Sequence, residues 1–217
     1  MLIKLLLVLS LVLLPGMTPA EDWAEARNAN DIRVWTRAVP GYPLREFRAT
    51  TVVRSSLAGL VNLLLDTGHA ADWVYRTRRI DVLQRDDEKA TFVIHIVTDF
   101  PWPLSDRDVI VAGRIFQEAD GTVRIISQSL LDDQHPKAPG CLRMVDFYGN
   151  WTFRPLGDGL VEVSMLGRAN PGGVIPHGIV NLIIHDTPYQ TLRGLQRVIS
   201  QPRYQSARFN AIQEPAQ

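Results

Sequence analysis

The chain has 217 residues, of which 46% are hydrophobic and 21% charged, a composition that excludes disordered, collagen-like and disulfide-scaffold proteins and suits one domain with a sizeable core. Its 23 basic and 23 acidic residues cancel to a formal charge of zero. No cationic excess remains to neutralise a run of phosphates, which argues against a nucleic-acid partner.

The first segment stands apart from the rest. Lys4 precedes an apolar run over 5–14, then Pro15-Gly16 and the small-residue stretch Thr18-Pro19-Ala20, the pattern of a secretory signal (1–20) cleaved before Glu21. The run is shorter than the roughly 20 apolar residues that cross a bilayer. Residues 21–27, acidic and alanine-rich around Trp23, read as a short leading helix. Strand-like runs follow at 32–37, 44–53, 79–85, 91–98, 107–116, 122–131, 141–148, 151–155 and 160–168. Most are bounded by turn chemistry such as Pro40-Gly41, Asp120-Gly121 and Gly157-Asp158-Gly159. Cys141 is the single cysteine and reads as a small buried apolar residue.

Two stretches carry helical spacing. Ser55-Ser56 precedes Leu57, Leu60, Val61, Leu64 and Leu65, a stripe that predicts a helix ending before Gly68. Pro176 opens a second pattern, in which Val180, Ile183, Ile184, Thr187, Thr191, Leu195 and Val198 share one face up to the break at Pro202. Pro188 lies inside it, lacks a donor and clashes with the preceding turn, so the pattern is expected either to kink near Ile184–Pro188, the favoured reading, or to be two helices. The tail, 201–217, has no periodicity and is expected to fray.

Phe92, Ile94 and Ile96 alternate with Val93 and Val97, and Val109 and Val111 alternate with Ile110 and Ala112. A sheet with one wet face would show apolar and polar residues in alternation. Both faces are therefore expected to be covered, one by the inserted helix and one by the final helix. The fold class predicted is α+β: a curved antiparallel sheet with a long C-terminal helix across its concave side.

No catalytic, metal or cofactor site emerges. The five histidines, at 69, 95, 135, 177 and 185, lack compact ligand spacing, and on a helix His177 and His185 would stand about 12 Å apart. No nucleophile elbow is present, and Gly157-Asp158-Gly159 is a hairpin turn rather than a phosphate loop. His95, on an apolar strand, reads as a hydrogen-bonded core histidine. By parity Phe92, Ile94, Ile96, Val109 and Val111 either line a hollow or fill a core. The same holds for Val180, Ile183, Thr187 and Thr191, whose two hydroxyls suit a pocket with a few placed polar groups.

A set of anchors runs in order along the chain. Trp73 comes first, then Thr91-Phe92 with His95, then Pro101-Trp102-Pro103-Leu104-Ser105-Asp106-Arg107-Asp108. Gly140-Cys141-Leu142-Arg143, Trp151 to Leu156, and Ile175-Pro176 through Asn181 complete it. The set resembles the START (steroidogenic acute regulatory protein-related lipid transfer) domains, in a secreted bacterial form, from about Trp23 to Ile199. The proline loop before Arg107-Asp108 is its most specific motif.

The resemblance implies a helix-grip fold over 21–200 that encloses a tunnel for one hydrophobic molecule, and a function in lipid binding or transfer rather than catalysis. The lipid-binding residues it implies are Trp73, Phe92, Ile94, Ile96, Val109, Val111, Arg143, Val180, Ile183, Thr187 and Thr191, with Arg143 facing either the tunnel or the sheet edge. Arg107 and Asp108 are expected to form a structural ion pair that holds the proline loop. Phe100, Trp102 and Pro188 are expected to form a gate.

In one respect the chain departs from the family. Some members carry an acid–arginine pair in the tunnel, and here Ile96 and Gly113 occupy those positions, with Arg114 one residue out of register and facing the other side. That implies a more apolar tunnel or a polar anchor elsewhere. The expected protein is a monomeric periplasmic carrier, without cofactor, that touches membranes transiently. The alternatives are an enzyme of the same superfamily, cyclase/aromatase- or hydrolase-like, and an interaction module without a cavity.

Overall fold

A computed structural model describes residues 23–42, 44–131, 134–176, 179 and 182–215. The predicted signal segment and Val180 lie outside the described residues. The chain opens with a hairpin of β1 (Ala24–Ala29) and β2 (Ile32–Arg37). Its two turn residues, Asn30 and Asp31, both take left-handed conformations, φ 54° and 59°, which matches the twist of a two-residue hairpin. The leading helix expected at 21–27 is thus replaced by a strand. Helix propensity there is overridden by tertiary contact: Arg27 pairs with Asp186 at 2.9 Å and stacks on the Tyr189 ring at 3.5 Å.

β3 (Glu46–Arg54) leads into α1 (Leu57–Leu65) and a 3-10 segment, Thr67–Asp72. Then come β4 (Thr77–Asp86), β5 (Thr91–Thr98), β6 (Arg107–Gln117), β7 (Val123–Ser129) and the two-residue β8 (Leu142–Arg143). β9 (Asp146–Gly157) and β10 (Leu160–Asn170) form the longest hairpin, so the predicted strands 141–148 and 151–155 are largely one strand, continuous through Gly149. A π turn, Leu182–Asp186, runs into α2 (Thr187–Val198), and α3 (Pro202–Gln205) follows. The described strands form one sheet in the order β1-β2-β3-β10-β9-β7-β6-β5-β4, with β8 parallel to β6 and every other pairing antiparallel. This curved sheet with its C-terminal helix is the helix-grip architecture.

Pro188 does not interrupt a helix. It is the second residue of α2, directly after the π turn. Asp186 already has helical backbone angles, so the π turn and α2 are one helical run, and the irregularity predicted near Pro188 is a switch from π to α hydrogen bonding.

Both helices pack on the same side of the sheet. Leu57, Leu60, Val61 and Leu63 of α1 share one apolar cluster with Leu192 and Leu195 of α2 and with Val123, Ile125, Phe153 and Val163 of the sheet. The expectation that the inserted helix covers the opposite face is therefore overturned. At β5 and β6 that face is covered by the 134–143 connection, whose Ala138 N–H and Arg143 guanidinium reach Asp108.

Nor is the C-terminal tail frayed. Ser56 caps α1 by accepting from Gly59 N at 3.0 Å. The next free donors, Leu57 N and Ala58 N, are taken by the Glu214 carboxylate at 3.0 and 2.8 Å. Tyr204 and Ile212 are buried, and the Tyr204 hydroxyl donates to Asp66 at 2.8 Å. Single anchors fix the tail, and single anchors leave no period in a sequence.

Candidate functional site

Between the concave face, α1 and the π turn with α2 lies a cavity of about 320 Å³, at the lower end of the usual range for ligand pockets. Trp73, Phe92, Ile94, Ile96 and Val111 line it, and Ile183, Thr187 and Thr191 face it from the C-terminal helical segment. Thr191 is buried, and its hydroxyl already accepts from Tyr75 N at 3.3 Å. Val109 shares the parity of Val111 but does not reach the cavity; it packs with Val111 and Met144 in a small separate cluster. Leu64 and Leu65 close one wall from α1.

Arg143 is not a lining residue. Its Nε and Nη2 donate to the two oxygens of Asp108 at 3.1 and 2.9 Å, and its other donors reach His135 O and Pro136 O. The Arg107–Asp108 ion pair is also absent. Adjacent strand residues point to opposite faces, so the two side chains serve different partners. Arg107 donates from Nε to Pro171 O at 2.9 Å, from Nη2 to Gly172 O at 3.0 Å and from Nη1 to Ser105 O. Its guanidinium also lies 4.4 Å from the Phe100 ring centre. It therefore joins the proline loop to the 171–173 segment by itself.

Asp108, fully buried, accepts from Arg143, from Ala138 N at 2.9 Å and from His95 Nε2 at 2.8 Å. Burial pushes this carboxyl up, but the hydrogen bonds from Arg143, Ala138 and His95 and the Arg143 charge outweigh it and hold the group at about 2. As the carboxylate can only accept, His95 Nε2 carries the proton. Cys141 is half-buried, and burial together with the nearby Asp108 and Asp106 raises its thiol, which disfavours a reactive thiolate.

The proline loop has one ring in and one ring out. Phe100 is buried and lines the cavity, whereas Trp102 is 91% exposed and does not pack on the final helix. Pro188 is buried outside the cavity wall. Sequence parity missed the charged side chains at the wall, Arg45, Arg76, Arg85 and Asp99, which stand at strand ends and bends where alternation fails. Arg168 borders the cavity but pairs with Tyr148 across the ladder, and its guanidinium lies between the rings of Tyr42 and Tyr148 on the other face of the sheet. Among the described residues no group of three or more His, Cys, Asp or Glu could hold a metal ion.

The model of the START domain family matches residues 15–202. The chain belongs to the START domain family. An uncharacterised protein from Pseudomonas aeruginosa is 30% identical over 182 residues, 83% of this chain and 88% of that one. Mouse phosphatidylcholine transfer protein is 24% identical over 172 residues, 77% of this chain and 78% of its own. The crystal structure of a STAR-related lipid transfer protein fragment from Xanthomonas axonopodis superposes with a TM-score of 0.74 at 29% identity, covering 82% of this chain and 99% of that one.

Within the START fold, the two positions of the missing acid–arginine pair are not cross-strand neighbours here: Ile96 pairs with Val109 and Gly113 with Phe92. The Phe92 ring lies over Gly113, where a Cβ would stand 2.6 Å from ring atom Cε2. An aromatic ring thus covers the position that the resemblance assigned to the arginine of the expected pair. Arg114 is exposed and outside the cavity, as its parity requires.

Proposed function

We propose that this START protein is a carrier that encloses one lipid or similar apolar molecule and passes it between membranes of the cell envelope, without chemistry on its cargo. The observation that supports this most is the cavity itself, walled by Phe92, Ile94, Ile96, Trp151 and Met165 beneath two helices. Apolar surface that leaves water there gains about 25 cal/mol per Å². The one carboxylate among the described wall residues, Asp99, is held by Arg76 at 2.7 Å and by Arg78 at 3.2 Å, an arrangement that suits orientation of a ligand more than acid–base work. The similarity to lipid transfer proteins points the same way. The secretory pattern at 1–20 supports a periplasmic location for a carrier that acts as a monomer.

In this reading the gate is the 99–105 loop with the helical segment that begins at the π turn. Arg107 ties the loop to residues 171–172, and on either side of that tie Trp102 and Val174 are 91% and 90% exposed. Exposed apolar residues with a polar-edged ring suit brief insertion at a lipid surface, and exchange requires a transient opening.

Native mass spectrometry of the purified mature protein tests the carrier reading: one bound lipid per chain is expected. Protein that emerges empty, and that extracts no labelled lipid from vesicles, would overturn it. Phe100→Ala and Trp102→Ala should slow exchange with vesicles; unchanged rates would remove the loop from the gate.

A further inference from the structure

The convex face of the sheet, turned away from the cavity, carries a groove of about 560 Å³ across β1, β2, β3 and β10. Its floor is one row of the ladder. Asn28 pairs with Arg33, Arg33 with Thr50, and Thr50 with Ser164, so four polar side chains stand in line over roughly 14 Å at the usual strand spacing. Their chain neighbours Ile32, Val34, Ala49 and Val163 point the other way, into the core.

One wall is a stack of rings and cations. The Arg37 and Arg48 guanidiniums lie 4.6 and 5.1 Å from the Trp23 ring centre, and Arg48 lies 5.0 Å from the Trp35 centre. Rings hold a guanidinium by its faces and leave its edge to donate. Arg48 Nε has no hydrogen-bond partner among the described residues, and neither has Asn150 Oδ1, an acceptor just beyond the groove in the same ladder row. Unpaired buried polar atoms are costly, and here both a donor and an acceptor are left over. Trp35 is half-buried and lines the groove, to which it presents part of its ring.

The charges decide the class of ligand. Arg33 and Arg48 line the groove together with Asp31 and Glu162. An oxyanion, which only accepts, would meet two carboxylates, and a cation would meet two guanidiniums. A hydroxyl accepts from a guanidinium, donates to a carboxylate and does both with Thr50 and Ser164. A peptide suits the groove less well. It binds a sheet by adding a strand at an edge, whereas β2, β3 and β10 are paired on both sides and offer no free backbone groups.

We infer that the convex groove binds an uncharged saccharide chain, with one ring laid on Trp35 and its hydroxyls shared among Arg48, Glu162, Thr50 and Ser164. Trp35 and Arg48 are not part of the cavity wall, so the site is separate from the cargo site and independent of the carrier reading.

The test is calorimetric titration of the purified mature protein with maltohexaose, cellohexaose and chitohexaose, beside a heparin hexasaccharide as the anionic arm. At least one neutral hexaose should bind with a dissociation constant below about 10 mM and at least about tenfold more tightly than the heparin fragment. Trp35→Ala should weaken that binding at least about tenfold. Ser164→Glu, which fills the groove floor without touching the ring stack, should weaken it likewise at an unchanged urea midpoint, which separates lost binding from lost folding. Failure of all three neutral hexaoses to bind, tighter binding of the heparin fragment, or binding that neither substitution alters overturns the inference and leaves the carrier reading intact.

Discussion

Gly194 of α2 lies directly against the backbone of Trp73: a Cβ at 194 would stand 2.8 Å from the Trp73 carbonyl carbon and nearer still to its oxygen. The contact seats the final helix on the segment that carries a cavity-lining tryptophan, and only hydrogen at that position permits it. On an exposed helix Gly→Ala stabilises by about 1 kcal/mol. Here the obstacle is backbone rather than a yielding side chain, so Gly194→Ala should destabilise by roughly 2 kcal/mol or more. Urea unfolding gives the sign. A stabilised Gly194→Ala would mean that α2 is free to lift from Trp73.

Asp108 anchors the reverse face, and its loss should be felt as stability. Asp108→Asn leaves Arg143 without its buried counter-charge, a change that costs about 3–5 kcal/mol in comparable pairs. Because the folded carboxyl sits at about 2, below its ordinary 3.8, protonation favours the unfolded chain. Its stabilising contribution is full above about pH 4 and fades as the pH falls toward 2. Acid unfolding of the unmutated protein should steepen in that window, and Asp108→Asn should flatten it. Parallel acid limbs in the two proteins would show that Asp108 is not the responsible group.

What could be read in advance follows from how local each signal is. β2 and β5 have the predicted limits, and α1 has both its stripe and its Ser56 cap, because period and capping are written within a few residues. The cavity-facing parity of Phe92, Ile94, Ile96 and Val111 was legible for the same reason. Arg107 and Asp108 are adjacent in sequence and read there as partners, but a strand sends neighbours to opposite faces, and the groups that hold them include Arg143, 35 residues from Asp108, and Gly172, 65 residues from Arg107. The Arg168 position between two tyrosines depends on three separate segments, and no spacing encodes it. The first strand and the tail depend likewise on contacts with Asp186 and with the N-terminus of α1.

The tail provides a third prediction. Glu214 caps α1, Tyr204 and Ile212 are buried, and Gln117 and Gln213 bond each other through side chain and backbone. A chain ending at residue 202 should lose at least about 3 kcal/mol, from two buried side chains and a helix cap. Glu214→Gln alone, which keeps the acceptor but loses the charge at a helix N-terminus, should cost about 1 kcal/mol or less. Thermal melting of the two variants separates a packed strap from a dispensable extension. Identical melting temperatures for the truncated and full chains would assign the tail no structural role.

Ile94 and Ile110 sit on adjacent strands but on opposite faces of the sheet, and they allow the cavity to be tested apart from the fold. Ile94 borders the cavity, whereas Ile110 is fully buried and outside it, opposite His95 in the ladder. A tryptophan at 110 has nowhere to go in a close-packed layer and should cost about 1–3 kcal/mol or more. At 94 the same ring can enter empty space, so stability should change by less than about 1 kcal/mol while bound lipid falls in proportion to the volume lost. Urea midpoints and lipid retained per chain, measured on both variants, decide the matter. If Ile94→Trp unfolds as readily as Ile110→Trp, the space beside Ile94 is already filled.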